Sequence, residues 1–334
     1  DLQSAEGVKT IYDLLPQFDL VVHNFKHGGA DKLGLGYEKL KSIKPDLIYC
    51  SVAGYNSDTP EAKRPGYDLV IQAEAGLMAI NGEEGTPPLK FGVAVVDLMT
   101  GMYAAQAVLA ALYRRCRNGR GRQIELALYD GGVTINGYYA LDSMLLGHDT
   151  QRYGNAHPSI VPYGMFEAQD GPLIIGVGNN GQFEKFCRNV ILRPDIFEDP
   201  RYATNVERAR NRLEILPLLK SIIASHPRQL LLERMHACGI PCGEVAGLHE
   251  ALTSKRTQQT GIFHQMPHPV AGKTWVFAPP YRLDGQRLPI RSAPPTLGEA
   301  TREVLQELLS MTDEQLQALK EKGVLTLPEA PTPH

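Results

Sequence analysis

The sequence predicts an α/β protein with an open, parallel sheet in one unit and a smaller unit after it. Short runs rich in Val, Ile and Leu, namely FDLVVHN (18–24), DLIYCSV (46–52) and RQIELALYD (122–130), are separated by helix-period stretches rather than by tight turns. Runs that are apolar on both faces are what parallel strands covered by helices look like; a half-solvated antiparallel sheet alternates instead. A second stretch, at about 160–245, restarts with the strand GPLIIGV and continues into helices near 182–192 and 208–237.

The remaining elements follow in chain order. DLQSAEG enters a helix near 5–15 with Ser4 as N-cap, as if an earlier strand preceded it, so an N-terminal truncation is expected. A second helix is expected near 36–43, and GYDLVIQAEAGLMAIN reads as a third. Val93–Val96 reads as a buried run leading to Asp97, after which a long helix closes with Arg114, Arg115 and Arg117 in its last turns and Gly119 beyond them. Residues 131–165 lack a strong period and read as a connection carrying the loop YGNAHPSIVPYG. GIPCGEV reads as a turn, and the stretch containing TSKRTQQTGIFHQMPHP as irregular. Two amphipathic helices with Thr296 and Thr312 as caps follow, then a Pro-rich tip at 328–334. No internal repeat interrupts this order.

Composition narrows the function. With 334 residues, 43% hydrophobic and 21% charged, the chain has the balance of an ordinary soluble globular protein long enough for two domains. A net charge of −3 supplies no field for nucleic acid or an anionic membrane, so a small-molecule partner is expected. The best membrane-length stretch, 93–112, contains Asp97, Thr100 and Gln106 and reads as buried strand and helix. Five cysteines form no disulfide framework, which implies a reducing, cytoplasmic setting. Cys238 and Cys242 lack the partners of a zinc set, and no metal site is expected.

In an open α/β sheet ligands gather outside the carboxyl ends of the strands. Three such places stand out: HNFKHGGADKLG (23–34), SVAGY (51–55) and Asp97. The first offers Asn24, Lys26, two glycines and Lys32, a set suited to phosphate but also to a solvated turn. Asp97 has two readings. It is a helix N-cap, the ordinary reason for Asp before a helix, or a nucleophile at a strand-to-helix junction. GVGNNG (176–181) matches a dinucleotide fingerprint, but no acid-bearing second strand follows, so a glycine-rich bend is the simpler reading. No GxSxG or HExxH motif occurs.

Taken together, VVHNFKHGGADKLGLGYEKLKSIKPDLIYCSVAGY, RPGYDLVIQAEAGLMAINGE, GVAVVDLMTGMYAAQAVLAALYRRCRNGRGRQIELALYDG and RYGNAHPSIVPYGMFEAQDG resemble the class III coenzyme A transferases, the CaiB/BaiF group. The resemblance implies an enzyme moving CoA between carboxylic acids, with CoA and acyl-CoA as substrates and no prosthetic group. It implies a Rossmann-like large domain made from both ends of the chain, a smaller α+β domain and an interlocked dimer. The corresponding divisions are 1–135 for the large domain, 136–160 as linker, 161–245 for the small domain and 246–334 as linker and return.

Asp97 falls on the family's catalytic aspartate, which passes through an acyl anhydride and an aspartyl-CoA thioester. Asn24, Phe25, Lys26, Lys32 and Val52, Ala53, Gly54 and Tyr55 fall on CoA-contacting positions, as does Gln3. Gly154, Asn155 and His157 fall in the family's glycine-containing loop over the active site. The sister α-methylacyl-CoA racemases place a His base where this chain has Tyr67, between Gly66 and Asp68. A tyrosine of ordinary pKa near 10 is a poor base at neutral pH, which favours transfer. Tyr67 otherwise reads as a packed aromatic at a helix start. HPSIVPYG and KFGVAVVDLMTG look like the branch that uses succinyl-CoA or another dicarboxyl-CoA. The alternatives are a racemase-like enzyme, a non-catalytic CoA-binding protein and, from GVGNNG, a nicotinamide dehydrogenase.

Overall fold

The computed structural model describes residues 1–327, and the Pro-rich tip at 328–334 lies outside the described residues. The chain divides into two compact units: Asp1–Met78, Lys90–His148 and the chain from Gln259 onward form one, Ala79–Leu89 and Asp149–Gln258 the other.

In the first unit, Ser4 caps α1 (Ala5–Leu14), its hydroxyl accepting the Gly7 N–H at 3.0 Å. There follow β1 (Leu20–His23), α2 (Gly29–Lys32), α3 (Tyr37–Ile43), β2 (Ile48–Ala53) and α4 (Asp68–Glu74), while the short α5 (Leu77–Ile80) runs across the division at Met78. Then come α6 (Val95–Asn118), β3 (Arg122–Ala127), α7 (Leu128–Thr134) and α8 (Tyr138–Leu146). The three strands are parallel in the order β1-β2-β3, with Leu20 opposite Ile48 and Ile48 opposite Arg122. Leu15, Leu35, Leu40, Leu47 and Tyr49 form one apolar cluster with α1 and α3 residues. Helix α6 packs on β2 and β3, and Ile71, Ala75 and Val96 fill the space between α4, α6 and α7. Its end is as the sequence predicts: Gly119 takes φ +67°, a left-handed conformation glycine adopts without a Cβ penalty, and its N–H reaches the Arg115 carbonyl at 2.8 Å.

The second unit holds β4 (Tyr163–Ala168), β5 (Gly171–Gly176), α9 (Asn180–Lys185), a wider helical turn at Phe186–Val190, α10 (Pro194–Glu198), α11 (Asn205–Arg210), α12 (Arg212–Ala224), α13 (Arg228–Ala237) and β6 (Cys242–Glu244). Its sheet is antiparallel, β4-β5-β6. Phe166, Leu173, Ile175, Phe183, Phe186, Leu219, Leu231 and Met235 make its core. Fully buried among them is Arg208. Its guanidinium donates to the Val161 and Tyr202 carbonyls and to Asn180 Oδ1 at 2.6, 3.0 and 3.2 Å, and lies 4.1 Å from the Phe183 ring centre. Beyond α14 (Leu248–Thr253) and α15 (Lys255–Thr260), a hairpin of β7 (Phe263–His268) and β8 (Gly272–Phe277) leads to α16 (Thr301–Leu309) and α17 (Asp313–Glu321).

Several expectations are corrected. The run before Asp97 is not a strand, since helix begins at Val95. The stretch 93–112 is not wholly buried: Val93 is exposed before α6, and Leu98, Met102 and Leu109 are exposed on α6, a helix long and apolar enough to cross a membrane. Strand 122–130 stops at Ala127, because Leu128–Asp130 turn into α7. Helix α8 occupies the stretch expected as linker, GIPCGEV contributes β6 rather than only a turn, and the irregular stretch carries α14, α15 and β7. Thr312 caps α17 with Gln315 in a reciprocal capping box, as expected. Thr296 does not cap α16: it pairs with the Glu299 carboxylate, and Ala300 stands at the helix start.

Candidate active site

The carboxyl ends of the three parallel strands build the site. After β1 the chain turns through Asn24–His27 to Gly28, whose φ of +72° starts α2. After β2 it passes Gly54, which lies so close to Gly66 that a Cβ on either would sit 2.7 Å from the other's Cα. Only two glycines allow this backbone contact, and it brings the segment leading to α4 against the end of β2. The Gly54 carbonyl also accepts the Tyr129 N–H at 3.1 Å, tying in the start of α7.

Between these ends lies a cleft of about 650 Å3. Its walls include Asn24, Phe25, Lys26, His27, Val52, Ala53, Gly54, Arg64, Tyr67, Leu128, Asp97 and Gly101. Gly101 stands four residues beyond Asp97, on the same face of α6, and leaves room beside the carboxylate.

Asp97 is not the helix cap. It occupies the third position of α6, and the capping donors are taken by a different carboxylate: Asp68 Oδ1 accepts the Val96 N–H at 2.8 Å and the Asp97 N–H at 3.3 Å. Asp68 Oδ2 accepts from Gln72 Nε2 at 2.6 Å, and Gln72 Oε1 accepts the Phe91 N–H at 2.8 Å, so the first turn of α6 is held from α4. The Asp97 carboxylate makes no hydrogen bond or ion pair among the described residues. Partial burial, and then the neighbouring Asp68 charge, raise its carboxyl above the ordinary aspartate value. A carboxylate whose anion is little stabilised is a better nucleophile than one saturated with donors.

A second cluster stiffens the wall. Tyr55 donates to Glu74 Oε2 at 2.7 Å, Arg64 Nη2 to Glu74 Oε1 at 2.6 Å, and the Arg64 guanidinium covers the Tyr55 ring at 4.9 Å. The two donors, Tyr55 first, hold the Glu74 carboxyl below its ordinary value, while burial and Glu74 push the Tyr55 phenol up. Lys26 is exposed and makes no ion pair among the described residues, which leaves its ammonium for a ligand anion.

The structure thus gathers Asn24, Phe25, Lys26, Val52, Ala53, Gly54, Tyr67 and Asp97 into one cleft. Tyr55 faces a neighbouring cavity, Lys32 is exposed on α2 and lines neither, and Gln3 sits in the turn before α1. Tyr67 is 77% exposed, so it is not a packed aromatic. Gly154, Asn155 and His157 lie in the second unit. There Gly154, at φ +55°, abuts Glu83, and Asn155 lines a cavity of about 470 Å3. The His157 ring meets Tyr163 edge-on at 5.4 Å. The GVGNNG bend is consumed structurally: Asn179 caps α9, and Asn180 Oδ1 accepts from Asn205 and Arg208. Sequence reasoning missed Asp68, Gln72 and Arg64; an acid opening one helix beside an acid near the start of another is the signal that could have found the first.

A family model described as CoA-transferase family III matches residues 1–301. Succinyl-CoA:glutarate CoA-transferase of Mus musculus is 34% identical over 325 residues, covering 97% of this chain and 74% of that protein. Succinate–glutarate CoA-transferase of Agrobacterium fabrum is 36% identical over 262 residues, covering 78% and 65%. The crystal structure of a CaiB/BaiF family protein from Brucella suis superposes with a TM-score of 0.79 at 34% identity, covering 92% of this chain and 80% of that one.

Proposed function

Because this chain belongs to CoA-transferase family III, whose members move CoA between carboxylic acids, we propose that Asp97 is its nucleophile and that a dicarboxyl-CoA such as succinyl-CoA is its donor. An Asp97 oxygen attacks the donor thioester carbonyl; the C–S bond breaks, leaving a mixed anhydride and CoA thiolate. The thiolate attacks the aspartyl carbonyl and expels the donor acid as carboxylate, giving an aspartyl-CoA thioester. The acceptor carboxylate attacks that thioester and releases thiolate again. Thiolate attack on the acceptor acyl carbon then forms the new acyl-CoA and restores Asp97. No proton or electron is consumed, and the thioester's energy is kept through the covalent steps.

The observation that carries the assignment is the Asp97 carboxylate left without a partner at the head of α6 while Asp68 caps the helix. Lys26 supplies a cation for the second carboxylate or the phosphates, and the glycines at 54, 66 and 101 keep the wall thin where the thioester must approach. The dicarboxylate donor is supported by the succinyl-CoA enzymes among the relatives. A homodimer is supported by apolar side chains left exposed on α8, Leu141, Met144, Leu145 and Leu146. A reducing, cytoplasmic setting is supported by five free cysteines.

Peptide mass spectrometry tests the assignment. The full-length protein, incubated with a panel of acyl-CoA donors and hydroxylamine, is expected to yield a modified Asp97 peptide with succinyl-CoA, absent in Asp97→Asn. Modification elsewhere, or none with any donor that binds, overturns it.

A further inference from the structure

The end of β1 carries an interaction that the nucleophile and its helix do not use. His23 Nδ1 accepts the Phe25 N–H at 3.1 Å, closing a short turn over Asn24. The imidazole stacks on the Phe25 ring (5.2 Å, 27°) and meets Tyr49 edge-on (5.1 Å, 65°). Tyr49 is itself buried, with its hydroxyl on the Leu35 carbonyl at 3.0 Å, so the ring rests against a fixed surface.

A neutral imidazole has one acceptor and one donor nitrogen. Accepting at Nδ1 places the proton on Nε2, which is buried and has no partner among the described residues. A second proton would set two donors, Nδ1–H and the Phe25 N–H, against each other. The turn that this bond closes is also the wall of the Asp97 cleft: Asn24, Phe25 and Lys26 line it, and Phe25 and Lys26 are shared with the cavity of about 210 Å3 in which His23 lies.

Resting on the CoA-transferase reading of that cleft, we propose that His23 is a positioning residue: as the neutral Nε2–H tautomer it holds the Asn24–Phe25–Lys26 wall in the shape that receives the CoA thioester, and its protonation releases the wall. The titratable groups that share its cavity are Asp31 from α2, Tyr37 and Glu38 from α3, Tyr49 from β2, Tyr55 just beyond β2, Glu125 from β3, and Lys26 and His27 from its own loop. Burial lowers the His23 pKa below its ordinary value, and Asp31 opposes this only in part. At neutral pH the bond is therefore intact, and it fails on acidification.

The test compares full-length wild type with His23→Asn and His23→Leu. Asparagine presents an amide oxygen where Nδ1 stands and does not titrate; leucine keeps bulk and removes the acceptor. CoA binding is measured by isothermal titration calorimetry from pH 7.5 to 5, with kcat and KM for the acyl-CoA donor in parallel. The ratio of wild-type to His23→Asn affinity cancels the titration of CoA itself, and it is expected to fall with pH. At pH 7.5 His23→Asn binds like wild type. His23→Leu binds about ten-fold more weakly, the loss expected when the part-buried Phe25 N–H is left unpaired and the turn opens, with kcat within about two-fold. Equal affinity in His23→Leu overturns the inference, as does a pH-independent ratio, which decides alone if the leucine variant does not fold. Those results in a wild type that still binds CoA leave the transferase reading standing; a wild type that binds no CoA overturns both.

Discussion

Two neighbouring carboxylates stand at the head of α6: Asp68 accepts the N–H groups of its first turn, and the Asp97 carboxylate, the nucleophile of the proposed function, makes no hydrogen bond or ion pair among the described residues. Asp97→Asn is expected to cut turnover by at least ~10³-fold, as removal of a covalent nucleophile does, with CoA binding by calorimetry little changed. The same substitution is expected to raise Tm at pH 7. The folded Asp97 carboxyl binds its proton more tightly than the unfolded one, so its contribution to stability is full below the unfolded pKa and is lost as pH rises through the folded value. The Tm gain of Asp97→Asn must therefore disappear in acid; a gain that persists there refutes the account. Asp68→Asn removes a like charge while keeping an acceptor for the Val96 N–H. The acid limb of its kcat/KM profile is expected to move to lower pH than in wild type. A limb that stays in place would mean that Asp68 does not tune Asp97.

The elements hold because backbones fit at a few places. Gly54→Ala drives a Cβ to within 2.7 Å of the Gly66 Cα, and the strain is expected to cost about 1–3 kcal/mol of stability in chemical denaturation and to raise the donor KM. In the second unit, Arg208→Met strips three hydrogen bonds that tie the buried Val161 and Tyr202 backbone to Asn180 at the surface, at a cost of ~3 kcal/mol. The parallel strands, α1 with Ser4 and the end of α6 at Gly119 were legible because each rests on local signals: apolar runs, a hydroxyl before a helix, a glycine after one. The antiparallel sheet of the second unit was not, since β4 (YGMFEA) and β6 (CGE) are short and mix glycine with apolar residues, and only pairing with β5 makes them strands. The site was half legible. Strand ends and Asp97 could be marked on the sequence. Asp68 as the cap could not, because a hydrogen bond spanning 28 residues leaves no local pattern.

At the scale of the whole molecule, the five thiols are separate and unequal. Cys116 is exposed, Cys50 and Cys187 are buried, and burial pushes the Cys187 thiol up to about 12. Thiolate is the reactive form, so titration with an aromatic disulfide is expected to show one fast equivalent in the native protein and all five after denaturation. Cys238 and Cys242, both half-buried, are expected to react more slowly, and an equally fast reaction at Cys50 or Cys187 would contradict their burial. The Gly54–Gly66 contact also bears on how such an enzyme could be retuned. A mutagenesis library that randomises every lining position would squander most of its members on collapsed clefts. Libraries that freeze these two glycines and vary Ala62 and Leu128 confine diversity to walls made of side chains, where new acyl groups can be selected without unseating the strand ends.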